Sequence, residues 1–268
     1  ILVASHRIGY NSEGYDDFYA DRAGKAGVFL SVDFGETWEH CNVPNSTTKA
    51  QFPATSLGIS KDALDQVRLY AALLTSGVFM SDDEGVTWVN KTQGSLFLHN
   101  QIIAGTSQNW ENNNTLLSVC RDYSEVIYVM VVNNGWASAF GYTDDGGETW
   151  SPMDQPTTYD TSGAAHHLHP TTHKSGDPKT ASKYGSQGSI HGSLYAHPTD
   201  SNIVFAGGDR QPEIGGLMEN DNWTARLFRG DRSKSYDSWT NSGYSQQWSH
   251  ITHTNSITNE GIYGGLAY

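Results

Sequence analysis

Basic residues are scarce in this chain of 268 residues: 16 Lys and Arg stand against 29 Asp and Glu, a formal net charge of −13. A nucleic-acid partner needs a basic footprint, and none is visible. An anionic membrane surface is disfavoured for the same reason. The acidity suits solubility, or a cation, in an extracellular or periplasmic setting. No apolar run reaches the length of a membrane-spanning helix. Cysteine is limited to Cys41 and Cys120, which leaves open both a disulfide in an oxidising compartment and two buried thiols. The chain opens on strand-like Ile1-Leu2-Val3-Ala4, which fits a targeting segment that has been removed or left out.

Glycine (28), tyrosine (14) and tryptophan (8) are plentiful instead, the mixture of an all-β repeat protein rich in turns. The repeat is explicit. Ser31-Val32-Asp33-Phe34-Gly35-Glu36-Thr37-Trp38, Ser81-Asp82-Asp83-Glu84-Gly85-Val86-Thr87-Trp88 and Thr143-Asp144-Asp145-Gly146-Gly147-Glu148-Thr149-Trp150 share the pattern Ser/Thr-x-Asp-x-Gly-x-Thr-Trp. Each follows a short apolar run. Gly35, Gly85 and Gly147 accept a positive φ in a hairpin turn. The carboxylates of Asp33, Asp83 and Asp145 can take hydrogen bonds from the turn's own backbone, and the hydroxyls of Ser31, Ser81 and Thr143 can do the same more weakly. Trp38, Trp88 and Trp150 open the return strands and can bury their rings.

This pattern resembles the Asp-box, or BNR repeat, of sialidases, family-74 glycoside hydrolases and sortilin/Vps10 receptors. The resemblance implies an all-β fold, a β-propeller of four-stranded antiparallel blades with the boxes on outer hairpins. It speaks to fold and not to chemistry. The sialidase likeness stops at the boxes: His6-Arg7-Ile8-Gly9 has the Arg-Ile of that family's motif without its Pro.

Along the chain, four short strands in about 50 residues is the size of one blade. The reading is a single domain over 1–268, a propeller or part of a longer one, with about four blades visible. Gln101–Gly105 is the first strand of the third blade or a transition into it. The stretch 151–189 has no sustained apolar periodicity and reads as a long His-rich insertion. Order returns at Ile190, with His197-Pro198 as a turn before the strand Ile203–Gly208. A fourth box is degenerate after Arg229-Gly230-Asp231, and the expected fourth anchor is Trp248, with Trp239 second.

Chemistry has several candidate seats. His167, His169 and His173 are candidate ligands for a divalent metal, the one cofactor the residues suggest, although the spacing fits no structural zinc pattern. Glycoside hydrolysis needs two carboxylates flanking the bond; Asp16, Asp17 and Asp209 are the weak candidates. Asn45, Asn90, Asn113 and Asn222 are the glycosylation sequons, about as many as chance supplies. The expected function is a secreted scaffold binding a glycan or an extracellular protein, or a subunit of an extracellular assembly; the alternative is a glycoside hydrolase with a carboxylate pair in a central cleft.

Overall fold

The computed structural model describes residues 2–5, 26–41, 43, 53–61, 65–74, 76–104, 113–133, 136–159, 165–167, 192–210, 225–236 and 245–251. Three four-stranded antiparallel sheets follow one another in the chain. The first is β4 (Ala54–Lys61), β5 (Val67–Leu73), β6 (Gly77–Ser81) and β7 (Val89–Asn90). The second is β8 (Asn114–Val119), β9 (Ile127–Asn133), β10 (Trp136–Thr143) and β11 (Ser151–Met153). The third is β14 (Ser193–Ala196), β15 (Ile203–Arg210), β16 (Ala225–Asp231) and β17 (Trp248–His250). They are preceded by a sheet of three described strands, β1 (Leu2–Ser5), β2 (Gly27–Leu30) and β3 (Glu39–His40). In order, these sheets are blades 1 to 4, and each is a meander in which sequence neighbours pair. The array of described blades does not close.

The apolar runs explain why the blades stack. Along β9 the six residues Ile127 to Val132 are all buried. Successive strand side chains point to opposite faces. Ile127, Val129 and Val131 accordingly join Tyr70, Ala72 and Val78 in the cluster between blades 2 and 3. Tyr128, Met130 and Val132 join Val204, Ala206 and Phe228 between blades 3 and 4. β5 divides in the same way, sending Leu69, Ala71 and Leu73 toward Val28 of blade 1. A continuous hydrophobic run therefore marks a strand covered on both faces.

Inner strands are tied across blades as well. The Thr55 hydroxyl donates to the Thr115 carbonyl at 2.6 Å, the Ala196 amide to the Ser118 hydroxyl at 2.8 Å, and the Tyr128 hydroxyl to the Ser201 carbonyl at 2.7 Å.

Of the two expectations for residues 101–104 the transition holds and the strand does not: they end a helix, α1 (Leu96–Ala104), whose Leu98 and Ile102 are buried in the cluster between blades 2 and 3. The apolar residues at 98 and 102 are four apart, a helical spacing that a short window hides. The insertion also starts later than residue 151, because Ser151–Met153 is the outer strand of blade 3 and pairs with Phe140–Tyr142. Beyond it, β12 (Thr157–Tyr159) and β13 (Ala165–His167) form a two-stranded hairpin. Cys41 and Cys120 are both buried and free, in separate clusters, which decides the thiol question for this fold.

Candidate functional site

Strand direction gives the blades two ends. The box turns join the last two described strands of blades 1, 2 and 3 at one end. At the same end lie the short connections between first and second strands, such as 120–126 and 197–202. At the opposite end β7 and β11 leave their blades, β15 ends at Arg210 and β16 begins at Ala225.

The box end is built from self-contained turns. In box 1 the Gly35 amide donates to the Ser31 hydroxyl at 2.7 Å, and that hydroxyl donates to the Asp33 carboxylate at 2.8 Å. The same carboxylate takes the Thr37 amide at 2.9 Å and the Thr37 hydroxyl. Box 2 repeats the set with Ser81, Asp83, Gly85 and Thr87 at 2.5–2.8 Å. Box 3 repeats it with Thr143, Asp145, Gly147 and Thr149 at 2.5–2.9 Å. The turn needs two successive residues at positive φ: Phe34 (61°) and Gly35 (95°), Glu84 (60°) and Gly85 (92°), Gly146 (71°) and Gly147 (98°).

The carboxylates are acidified accordingly. Hydrogen bonds from the Thr37 hydroxyl and amide hold Asp33 down at about 2, and the Thr87 bonds lower Asp83. At Asp145 partial burial pushes upward, but the Thr143 and Thr149 bonds outweigh it.

Blade 4 turns differently. Val204 pairs with Gly230 and Gly230 with Trp248, as Ile127 pairs with Thr143 in blade 3. By this register Gly230 holds the place of the box hydroxyl, Arg232 that of the box aspartate, and Trp248 that of the box tryptophan. The fourth anchor expected from the sequence is thus Trp248. The turn is held instead by Asp231, whose carboxylate takes the Ser233 amide at 3.0 Å and hydroxyl at 2.5 Å. Arg232 reaches back to blade 3, 3.3 Å from the Asp144 carboxylate and 4.6 Å from the centre of the Tyr142 ring. The triplet Arg229-Gly230-Asp231 lies in β16 and its end and is no exposed loop.

Sequence reading missed a polar network between blades 3 and 4 and a tie at the end remote from the boxes. Asp154 is buried between blades 3 and 4; its carboxylate takes the Ser245 hydroxyl at 2.7 Å, and its carbonyl takes the Trp248 indole N–H at 2.6 Å. Its amide donates to the Gln247 side chain at 2.8 Å. These partners lie 91 to 94 residues away in the chain, beyond the reach of any local pattern. The Asn133 side chain holds α1 by donating to the Gln101 carbonyl at 2.6 Å.

The candidate residues fare as follows. Asp16, Asp17, His169, His173, Asn45 and Asn222 lie outside the described residues. Asp209 lies near the end of β15 remote from the boxes, where the ladder to β16 slips between Gly207 and Arg210. His167 ends β13 opposite Thr157. Among the described residues there is no group of three or more His, Cys, Asp or Glu able to hold a metal ion.

His197 serves its turn, its Nδ1 taking the Asp200 amide at 3.1 Å. The Asn90 amide group is occupied locally: it donates to the Ser76 carbonyl and takes the Thr92 amide and hydroxyl. Asn113 is 1% exposed, so the folded chain offers no glycan acceptor there. No helix among the described residues is long and apolar enough to cross a membrane.

The family model of the BNR/Asp-box repeat matches residues 142–152, the third box and its flanks. No curated protein matches. Among solved structures, a GH74 xyloglucanase from Xanthomonas campestris is 14% identical with a TM-score of 0.42, over 87% of this chain and 35% of its own. A variant of the NanB sialidase from Streptococcus pneumoniae is 19% identical with a TM-score of 0.41, over 78% of this chain and 27% of its own. YCF48 from Cyanidioschyzon merolae is 14% identical with a TM-score of 0.28, over 78% of this chain and 74% of its own. The chain thus spans only about a third of the length of the first two. Likenesses this remote carry nothing about activity. What the repeats, the box geometry and the sheets establish is an Asp-box repeat protein with the blades of a β-propeller, its described array open.

Proposed function

We propose that the chain is an extracellular propeller scaffold that binds a glycan or a protein partner at the end of its blades remote from the boxes. The observation that supports this is the unequal use of the two ends. At the box end the connections are mostly short and their polar groups are spent inside the turns, as at Asp33, Asp83 and Asp145. The long passages between blades lie at the other end, on strands tied rigidly by apolar clusters and hydrogen bonds. Variable loops on a fixed frame are the usual way a fold presents a binding surface.

The described carboxylates support a scaffold over a hydrolase in the same way. Asp122 is held low by Arg121, Asp231 is engaged by Ser233, and Asp154 is buried in an inter-blade network. None of these contacts pairs two carboxylates across an open cleft, as glycoside hydrolysis requires.

The test is a screen of the chain against immobilised polysaccharides and sialylated glycans, with released reducing ends and free sialic acid measured on the same ligands. Retention without release is the expected result. Release of reducing ends or sialic acid would replace the scaffold by the hydrolase.

A further inference from the structure

Blade 4 is held to blade 3 partly through the turn 197–202 that joins β14 to β15. Three of its carbonyls take donors from blade 3: Pro198 from the Asp122 amide at 2.9 Å, Ser201 from the Tyr128 hydroxyl at 2.7 Å, and His197 from the Cys120 thiol at 3.0 Å. The backbone closes the base of the turn, the His197 amide donating to the Ile203 carbonyl at 2.9 Å and the Ile203 amide to the Asp200 carbonyl at 3.2 Å. Its interior is held by a side chain. The His197 Nδ1 lies 3.1 Å from the Asp200 amide and 3.3 Å from the Thr199 amide. An amide N–H can only donate, so Nδ1 carries a lone pair and the proton of the neutral ring sits on Nε2. The Thr199 hydroxyl, 3.5 Å from the same nitrogen, can give or take and does not decide the tautomer.

A second proton has only Nδ1 to go to. There it would remove the acceptor of both amides and set an N–H against two others. By register the place of His197 is held by Ser60 in blade 2, paired with Arg68, and by Cys120 in blade 3, whose amide donates to the Val126 carbonyl. Neither of those side-chain types gains a charge between about pH 5 and 8, where an imidazole does. The other charged and titratable groups described around the turn are also of types that change charge outside that range. The Asp200 carboxylate takes the Asn202 amide at 3.0 Å. Asp122 is held low by Arg121, and burial raises the Cys120 thiol and the Tyr128 hydroxyl. Arg232, whose amide donates to the Asn202 carbonyl at 2.9 Å, is permanently cationic. Beside the imidazole stands the Phe205 ring, the two centroids 6.3 Å apart.

We infer that His197 is a proton-sensitive latch on blade 4: its neutral imidazole holds the turn 197–202 in the shape that meets blade 3, and protonation loosens that turn and the inner edge of blade 4 with it. The folded turn accepts the neutral ring, so this contribution is present above the imidazole range and is lost as pH falls through it. The latch rests on bonds within and between blades 3 and 4 and is independent of what the remote end of the blades binds.

Amide hydrogen exchange at about pH 7.5 and about pH 5.5, expressed as protection so that the chemical exchange rate cancels, tests this. In the wild-type chain the protection of β14 and β15 is expected to fall on the order of fivefold at the lower pH, the scale of one lost hydrogen bond, with a smaller fall in β5 of blade 2. His197→Asp puts a carboxylate acceptor in place of the ring nitrogen and should keep β14 and β15 equally protected at both pH values. His197→Ala should show the low protection at both. Nitrogen chemical shifts of the ring supply a measure on the wild-type chain alone: at the higher pH they should report the Nε2–H tautomer. A ring protonated at Nδ1 at that pH overturns the inference. So does unchanged protection of β14 and β15 in the wild-type chain, or an equal fall in His197→Asp.

Discussion

Single residues in the boxes serve the turn first and the charge balance second. Asp33 is held at about 2 by the Thr37 and Ser31 hydrogen bonds, and Asp83 and Asp145 are lowered in the same way. A depressed carboxylate contributes stability that is fully present above its unfolded value, near 3.8, and is lost as pH falls through the folded value. The melting temperature should therefore stay level from neutral pH down to about 5 and fall between about 4 and 2. The triple variant Asp33→Asn, Asp83→Asn, Asp145→Asn should start lower and show a shallower fall. An equally steep fall in that variant would place the acid sensitivity elsewhere.

Gly77 makes the second residue-scale case. Its φ is +128°, and an added Cβ would sit 2.3 Å from the Thr92 hydroxyl. That hydroxyl is itself fixed by the Asn90 side chain at 2.9 Å. Gly77→Ala should cost about 1–3 kcal/mol from the backbone conformation alone. Gly94→Ala should cost close to nothing, because no atom lies within 4 Å of its added Cβ. Urea unfolding of the two variants separates them.

At the scale of elements the same motif residue has unequal weight according to what stands in front of its blade. Trp88 is buried against blade 1, whereas Trp38 is 43% exposed. Truncating a buried tryptophan typically costs about 3–5 kcal/mol. Trp88→Ala should fall in that range, and Trp38→Ala should cost less than about 1 kcal/mol. Equal costs would mean that the motif, and not the interface, sets the contribution.

The boxes, the strands they join and the place of Trp248 were legible because each rests on neighbours in sequence or on a short repeat. Helix α1 was not, since its buried Leu98 and Ile102 mimic half a strand in a short apolar run. The Asp154 network was illegible for another reason: its partners arrive from the next blade, 91 to 94 residues on. Of the candidate metal and catalytic residues, His167 and Asp209 fall in strands and the others outside the described residues, and for all of them sequence supplies residue types and no spatial pairing.

For the whole molecule, stability should follow the stacking of blades. A repeat array behaves nearly as a sum of unit stabilities and nearest-neighbour interfaces. Blades 2 and 3 each share clusters with two described neighbours, whereas blades 1 and 4 each share one. The side-chain ties at the box end run the same way: Arg68 to Glu125 and Lys91 to Glu148 join blade 2 to blade 3, and Arg232 to Asp144 joins blade 3 to blade 4. Surface ion pairs add little individually, so the apolar interfaces should set the order. Amide hydrogen exchange in dilute solution is then expected to be slowest in β5 and β9, whose side chains are buried on both faces, and faster in β2, β3 and β17. Val129→Ala, which opens a cavity between blades 2 and 3, should speed exchange in both of those blades more than in blade 1. Uniform protection across all four blades would instead show that the array unfolds as one unit, with interface strength too high for the end blades to open on their own.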